Sequence, residues 1–410
     1  MKILFIHQNF PGQYRALAPS MVKQGHEVMA ISSRKETSIQ GIPNIGYDTP
    51  HGSTNNIHPW LQSTEAAIIR GQAVARALEQ LMKNGFVPDA IVGHAGWGEM
   101  QFVRQVAPQA RIVSFCEYFY HGQGSDVDFD PEFPAAPDAM LRCHARNLHL
   151  TSALVDSDVG LSPTEWQASQ FPAFLRERIE VCHDGIETDR LTPHKDAWIK
   201  LGRDNIKAQL GDEIITFINR NLEPMRGYHS FMRALPHILA ERPKARVILL
   251  GGNEVSYGPA PATGGGYKAQ FLREVQDKID LSRVHFVGQV PYGTMVNMLR
   301  ISAAHVYLTV PFVLSWSMLE AMSLGCCVVG SSTPPVQEVI THGQNGLLAD
   351  FFDPKDIARK VCDVLAHPKD YHDIRRAARA HVVQHYDYQT VCLPRHHQII
   401  TGHAMRSPAL

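Results

Sequence analysis

A chain of 410 residues is too long for one comfortable hydrophobic core and suits two domains of roughly 200 residues each. A hydrophobic share of 44% with 19% charged residues is that of an ordinary folded protein and excludes a disordered or fibrous one. The formal net charge of -1 lacks the basic surplus with which a nucleic-acid binder displaces counterions, so no nucleic-acid partner is expected.

From the N-terminus, Lys2 to Ile6 is a short apolar run that reads as a buried strand, followed by a polar turn from His7 to Gly12 and an amphipathic helix from Tyr14 to Gln24. Val28 to Ser32 reads as a strand, Thr64 to Asn84 as a long helix, and Ala90 to Val92 and Arg111 to Phe115 as further strands. The same alternation restarts with strand Ile214 to Ile218, helix His229 to Ala240 and strand Arg246 to Leu250, which runs into Gly251-Gly252. Strand Val284 to Val287, helix Tyr292 to Arg300, strand His305 to Thr309, helix Ser317 to Leu324 and strand Cys326 to Gly330 complete it.

Alternating strands and helices imply parallel sheets wrapped by helices, here two doubly wound α/β domains. The expected division is an N-terminal domain over 1–190, a linker region over 191–211, a C-terminal domain over 212–385, and a last segment over 386–410 returning to the first domain. The Gly/Pro-rich stretch from Gly258 to Gly266 reads as a loop inside the second domain. Ligands of such sheets bind beyond the carboxyl ends of the strands, so two of them face to face are expected to work in the cleft between.

No apolar run approaches the roughly 20 residues that cross a bilayer, and no signal-peptide core follows Met1, so a cytoplasmic chain is expected. The seven cysteines are odd in number and show no CxxC, which points to reduced thiols. The 22 histidines form no HExxH, and the pairs His144/His149 and His396/His397 lack helical metal-ligand spacing, so no metal is expected.

The most telling segment runs from Val306 to Asp350 and contains Leu319-Glu320-Ala321-Met322. It resembles the donor-site signature of the family 4 retaining glycosyltransferases, whose GT-B fold sets two Rossmann-like domains across a cleft. The resemblance implies a helix that starts beneath the sugar and diphosphate of the donor. Ser315, Trp316 and Ser317 would supply its first amides, and Glu320 would accept the ribose hydroxyls. The family's first glutamate, eight residues earlier, touches sugar hydroxyls, whereas this chain has Phe312 there, which leaves the identity of the sugar open.

Asn219-Arg-Asn-Leu-Glu-Pro-Met-Arg-Gly-Tyr228 is similar to the family loop whose two cations hold the diphosphate. Arg220 and Arg226 match those cations, with one residue inserted and arginine in place of lysine. A guanidinium suits the role because its planar fork binds phosphate oxygens bidentately and stays charged. His183-Asp-Gly-Ile-Glu187, Val287-Gly288-Gln289-Val290 and Gly343-Gln-Asn-Gly346 follow the family order as the domain-crossing turn, the nucleobase loop and a late turn.

In the N-terminal half, Gly12 and Gln13 close the loop where the family faces the donor phosphates. His94 and Glu117 end strands on the acceptor side, as catalytic or as buried structural groups, with His121 beside them as an acceptor contact. Asp126-Val-Asp128 copies the DxD of the other major glycosyltransferase fold but lies in a polar loop of the acceptor half, so it is read as a solvated or acceptor-facing loop.

The resemblance implies retaining, metal-independent transfer without a cofactor, from an NDP-sugar, UDP- or GDP-linked, to a hydroxyl of a carbohydrate, glycolipid or other acceptor. A noncatalytic sugar-nucleotide-binding protein and a sugar-nucleotide epimerase are the alternatives. Peripheral contact with a membrane stays open, although no strongly basic amphipathic helix calls for it.

Overall fold

The computed structural model describes residues 1–34, 39–202, 206–261 and 264–405, and every count below refers to these. Residues 203–205 of the expected linker, 262 and 263 of the Gly/Pro-rich loop and 406–410 of the last segment lie outside them. The chain divides into two compact units, one made of Met1–Gly185 with the segment from Tyr388 onward, the other of Ile186–Asp387.

The first unit is built on a parallel sheet of seven strands: β1 (Lys2–Ile6), β2 (Glu27–Ser32), β3 (Asn44–Gly46), β4 (Ala90–His94), β5 (Arg111–Phe115), β6 (Val159–Ser162) and β7 (Ile179–Val181), in the order β3-β2-β1-β4-β5-β6-β7. Ile3, Leu4, Phe5 and Ile6 of β1 are all fully buried, as a strand covered on both faces requires. Ile3 and Phe5 pack with Leu17, Met21 and the C-terminal Leu393 and Ile400, while Leu4 and Ile6 pack with Val74 and Leu78 of the Gln62–Lys83 helix. The two-residue period of a strand thus divides one apolar run between two cores.

The expected Tyr14–Gln24 helix is split into a tight turn, Gly12–Arg15, and an α-helix, Leu17–Lys23. Pro19 has no N–H to donate and is tolerated only in a first turn, which places the start of the helix just before it.

The second unit repeats the plan with β10 (Ile214–Asn221), β11 (Arg246–Gly252), β12 (Val284–Gly288), β13 (Ala304–Tyr307), β14 (Cys327–Ser331) and β15 (Leu347–Ala349) in the order β12-β11-β10-β13-β14-β15, all parallel. An antiparallel hairpin of β8 (Trp198–Leu201) and β9 (Ile206–Gln209) precedes them. Ile199, Leu201 and Ala208 of this hairpin are buried in the same core as Met318, Leu319 and Met322. The stretch expected as a linker is therefore part of the second unit, because its alternating apolar residues have a core to fill. The Tyr292–Arg300 helix falls where it was expected, and β13 ends two residues before the expected Thr309.

In each sheet the chain winds outward in both directions from one central strand, β1 in the first unit and β10 in the second. Loops that follow β1 and β4, or β10 and β13, leave toward opposite faces and open a crevice at the strand ends. No helix among the described residues is long and apolar enough to cross a membrane.

Candidate active site

At the crevice of the second unit, the end of β10 carries Arg220, the loop after it carries Arg226, and the loop after β13 carries Thr309, Phe312 and Val313. Gly227, at φ +64, turns the chain from the first loop into the Tyr228–Glu241 helix. A Cβ there would meet the Leu308 Cβ at 2.4 Å, so only glycine lets the two loops come this close. Across that contact, Nη1 of Arg226 donates to Thr309 Oγ1 at 2.8 Å and to the Val313 carbonyl at 2.9 Å.

Arg226 is 5% exposed and has no ion pair among the described residues. Burial works against its charge, but Tyr307, Tyr257 and Glu223 around it raise its pKa on balance. The Tyr257 ring lies 5.1 Å from the guanidinium carbon and the Phe312 ring 5.8 Å from it. The buried Glu223 carboxylate does not pair with Arg226; it accepts from the Ser256 and Tyr257 amides at 3.2 Å, which fixes the loop that presents Tyr257. Arg220, by contrast, is exposed, and its side chain has no hydrogen-bond or ion-pair partner among the described residues. The two matched arginines thus differ sharply in environment.

The helix that carries Glu320 spans Trp316–Ser323, with Ser315 as its cap. Ser315 N–H donates to the Tyr307 hydroxyl at 2.8 Å, and Ser317 N–H points at Ser315 Oγ at 3.4 Å. Two of the three amides expected to meet the diphosphate are therefore engaged inside the protein. Trp316, at 42% exposure, stands at the helix start. Glu320 is 8% exposed; burial raises its pKa, and the Tyr292 hydroxyl, donating at 2.7 Å, opposes the rise. Gly288 ends β12 with φ +65 and has open space where a Cβ would stand. Phe312 is 6% exposed and packs edge-on to Tyr257, so the position of the family's first glutamate is an aromatic wall beside Arg226.

The crevice of the first unit gathers aromatic and imidazole rings. His94, at the end of β4, stacks on Trp97 at 4.1 Å and meets His7, which follows β1, edge-on at 5.8 Å. Its Nδ1 accepts from Gly96 N–H at 2.9 Å, which turns Nε2 toward Glu117 Oε2 at 3.6 Å. A pocket in front of this pair is walled by His94, Phe115, Glu117, Tyr118, Tyr120 and Phe171. Glu117 keeps 45% of its side chain exposed, and Arg146 lies 3.8 Å over the Tyr120 ring at the rim.

Burial, with His94 beside it, pushes His7 down to about 3, so this ring is a neutral prop. Gly12, at φ +49, lets the backbone approach His7: a Cβ there would lie 2.5 Å from the imidazole. The close approach that this glycine permits is thus to a side chain of its own unit. Gln13 follows it in the same tight turn. His121, expected as an acceptor contact, is not in the pocket wall; its Nε2 lies 2.7 Å from the Gln170 carbonyl and ties two loops together. Asp126 accepts from Tyr118 Oη at 2.9 Å and Asp128 from Gly124 N–H at 3.1 Å, so both serve the loop's own geometry. No group of three or more potential metal ligands occurs among the described residues.

Sequence reading missed Tyr307, Thr309, Tyr257, Glu223 and Tyr292. Only the position of Thr309 at a strand's carboxyl end could have marked it; the others are recruited across distances of 28 to 81 residues along the chain.

Residues 24–191 match the family model described as glycosyl transferase family 4 group, and residues 202–381 the model described as glycosyl transferases group 1. A D-inositol 3-phosphate glycosyltransferase of Corynebacterium jeikeium is 27% identical over 185 residues, covering 44% of this chain and 42% of the relative. Spore coat protein SA of Bacillus subtilis is 24% identical over 239 residues, covering 54% and 58%. The chain spans about half the length of the curated relatives it matches. Among solved structures, Anabaena HepE in complex with UDP superposes with a TM-score of 0.68 at 14% identity over 98% of this chain and 100% of that one. Sucrose-phosphate synthase from Thermosynechococcus elongatus gives 0.69 at 17% identity over 97% and 98%. These likenesses show a GT-B fold.

Proposed function

Since the chain belongs to family 4 of the glycosyltransferases, we propose that it transfers a hexose-type sugar, with retention of configuration, from a UDP- or GDP-sugar to a hydroxyl of a carbohydrate or glycolipid acceptor. The observation that carries this reading is Arg226, a guanidinium buried without a carboxylate partner and bonded to the loop that leads into the Glu320 helix. Burying a guanidinium with no carboxylate bonded to it costs several kcal/mol, a cost that a bound diphosphate would offset. Arg220 adds a second, solvent-facing cation to the same strand end, and Glu320 offers its carboxylate to the ribose.

In the proposed reaction the bond between the anomeric carbon and the diphosphate oxygen breaks, and the acceptor oxygen bonds to the same face of that carbon. The departing diphosphate oxygen takes the acceptor's proton, while Arg220 and Arg226 stabilise the charge growing on it. No metal, cofactor or protein nucleophile is required. The pocket at His94 and Glu117 receives the acceptor, with Glu117 accepting from a hydroxyl and the aromatic walls covering the apolar faces of a sugar ring.

Curated relatives and solved neighbours carry names that include inositol phosphate and UDP, which supports a nucleotide-sugar donor and a hydroxyl acceptor. Thermal shift with UDP, GDP, ADP and TDP tests the donor site, since specific binding raises the unfolding midpoint with affinity. Stabilisation by none of them would sink the reading, and loss of transfer in chelator would sink its metal-free part. Phe312, at the usual glutamate position, favours a second reading as a sugar-nucleotide-binding protein without transfer; binding with no turnover on any acceptor would select it.

A further inference from the structure

We propose that Tyr292 is a positioning residue for the nucleotide, holding Glu320 in the orientation that receives the ribose. The inference rests on the donor reading above and deepens it. Tyr292 opens the Tyr292–Arg300 helix, four residues after Gly288, and its ring is half in solvent at 51% exposure. Its hydroxyl nevertheless turns inward and donates to Glu320 Oε1 at 2.7 Å, while Oε2 has no hydrogen-bond partner among the described residues. Glu320 was expected to accept the ribose hydroxyls; one of its oxygens is already taken.

A glutamate side chain has three rotatable bonds, and a buried one tends toward the neutral acid. A phenol donating to one oxygen removes much of that rotational freedom and favours the ionised form. The other oxygen is then aimed and charged before the ligand arrives, so binding does not have to order it. Tyr292 also follows, after Pro291, on Val287-Gly288-Gln289-Val290, expected to cup the base, so one short segment serves both ends of the nucleoside.

The test compares UDP and GDP binding and donor kinetics in the wild-type protein, Tyr292→Phe, Glu320→Gln and the double variant. Tyr292→Phe should weaken nucleotide binding about tenfold, the scale of a hydrogen bond to a charged group. Donor KM should rise by a similar factor while kcat stays within about twofold, because the ribose lies away from the reacting bond. In the Glu320→Gln background the same change should cost only about twofold, since the phenol then holds a neutral amide and no longer a charge.

Unaltered binding by Tyr292→Phe, or a tenfold loss that persists in Glu320→Gln, overturns this inference and leaves the donor site standing. A wild-type protein that binds neither nucleotide overturns the donor reading and this inference with it.

Discussion

Replacing each of the two site arginines by alanine should give very different losses of nucleotide affinity, although sequence treats them as a pair. Arg226 is buried between Tyr257 and Phe312, whereas Arg220 stands in solvent. Two opposite unit charges 4 Å apart interact by about 4 kcal/mol where the effective dielectric constant is about 20, and by about 1 kcal/mol in bulk water. With a decade of affinity for every 1.4 kcal/mol, Arg226→Ala should raise the Kd for a nucleoside diphosphate about 100- to 1000-fold and Arg220→Ala about fivefold. Titration calorimetry with UDP and GDP measures both. Salt separates them further: the Arg220 contribution should fade as the screening length shrinks from about 10 Å at 0.1 M to about 3 Å at 1 M, while that of Arg226 persists. Unliganded melting curves provide the control for folding. Equal losses in the two variants, or a larger loss for Arg220, would refute the assignment of the diphosphate to the buried site.

Acid should weaken the first unit through His7. Its folded pKa, near 3, lies below the ordinary 6.5, so the unfolded chain takes the proton first and stability present above 6.5 is lost as pH falls toward 3. Between pH 7 and pH 5 the loss is about 2 kcal/mol, and denaturant titrations of His7→Gln should show a pH dependence shallower by that amount. Gly12→Ala puts a methyl 2.5 Å from the His7 ring at a positive φ, so it should cost about 1–3 kcal/mol in the same titrations; a neutral outcome would mean that the ring is loosely held. Glu117→Gln should lower transfer to acceptor about 100-fold while leaving UDP affinity unchanged, and a parallel loss of UDP binding would remove Glu117 from the acceptor side.

Segments whose own residues decide their structure were legible. Ile3 to Ile6 is apolar throughout and becomes the body of β1, and Tyr292 to Arg300 is bounded by Pro291 and becomes a helix over that very span. Val159–Ser162 became a strand only because β5 and β7 flank it; four residues with a glycine among them carry little signal of their own. The same limit governed the site. Arg226 was readable as a cation at a strand's end, but its burial depends on Thr309 and Val313, 83 and 87 residues later. Glu320 was readable as a carboxylate on a helix, yet nothing in its own segment reveals that Tyr292 has claimed one of its oxygens.

The two places where the chain passes between units, at Gly185 and at Asp387, make the second unit an insertion within the first. Tyr388, Leu393 and Ile400 complete a core begun by Ile3 and Phe5. The inserted unit has its whole sequence before the last segment of the first is made, so the half made earliest waits for its missing helix. A chain cut after Asp387 would thus hold the whole sequence of one unit together with another whose hydrophobic face lies open.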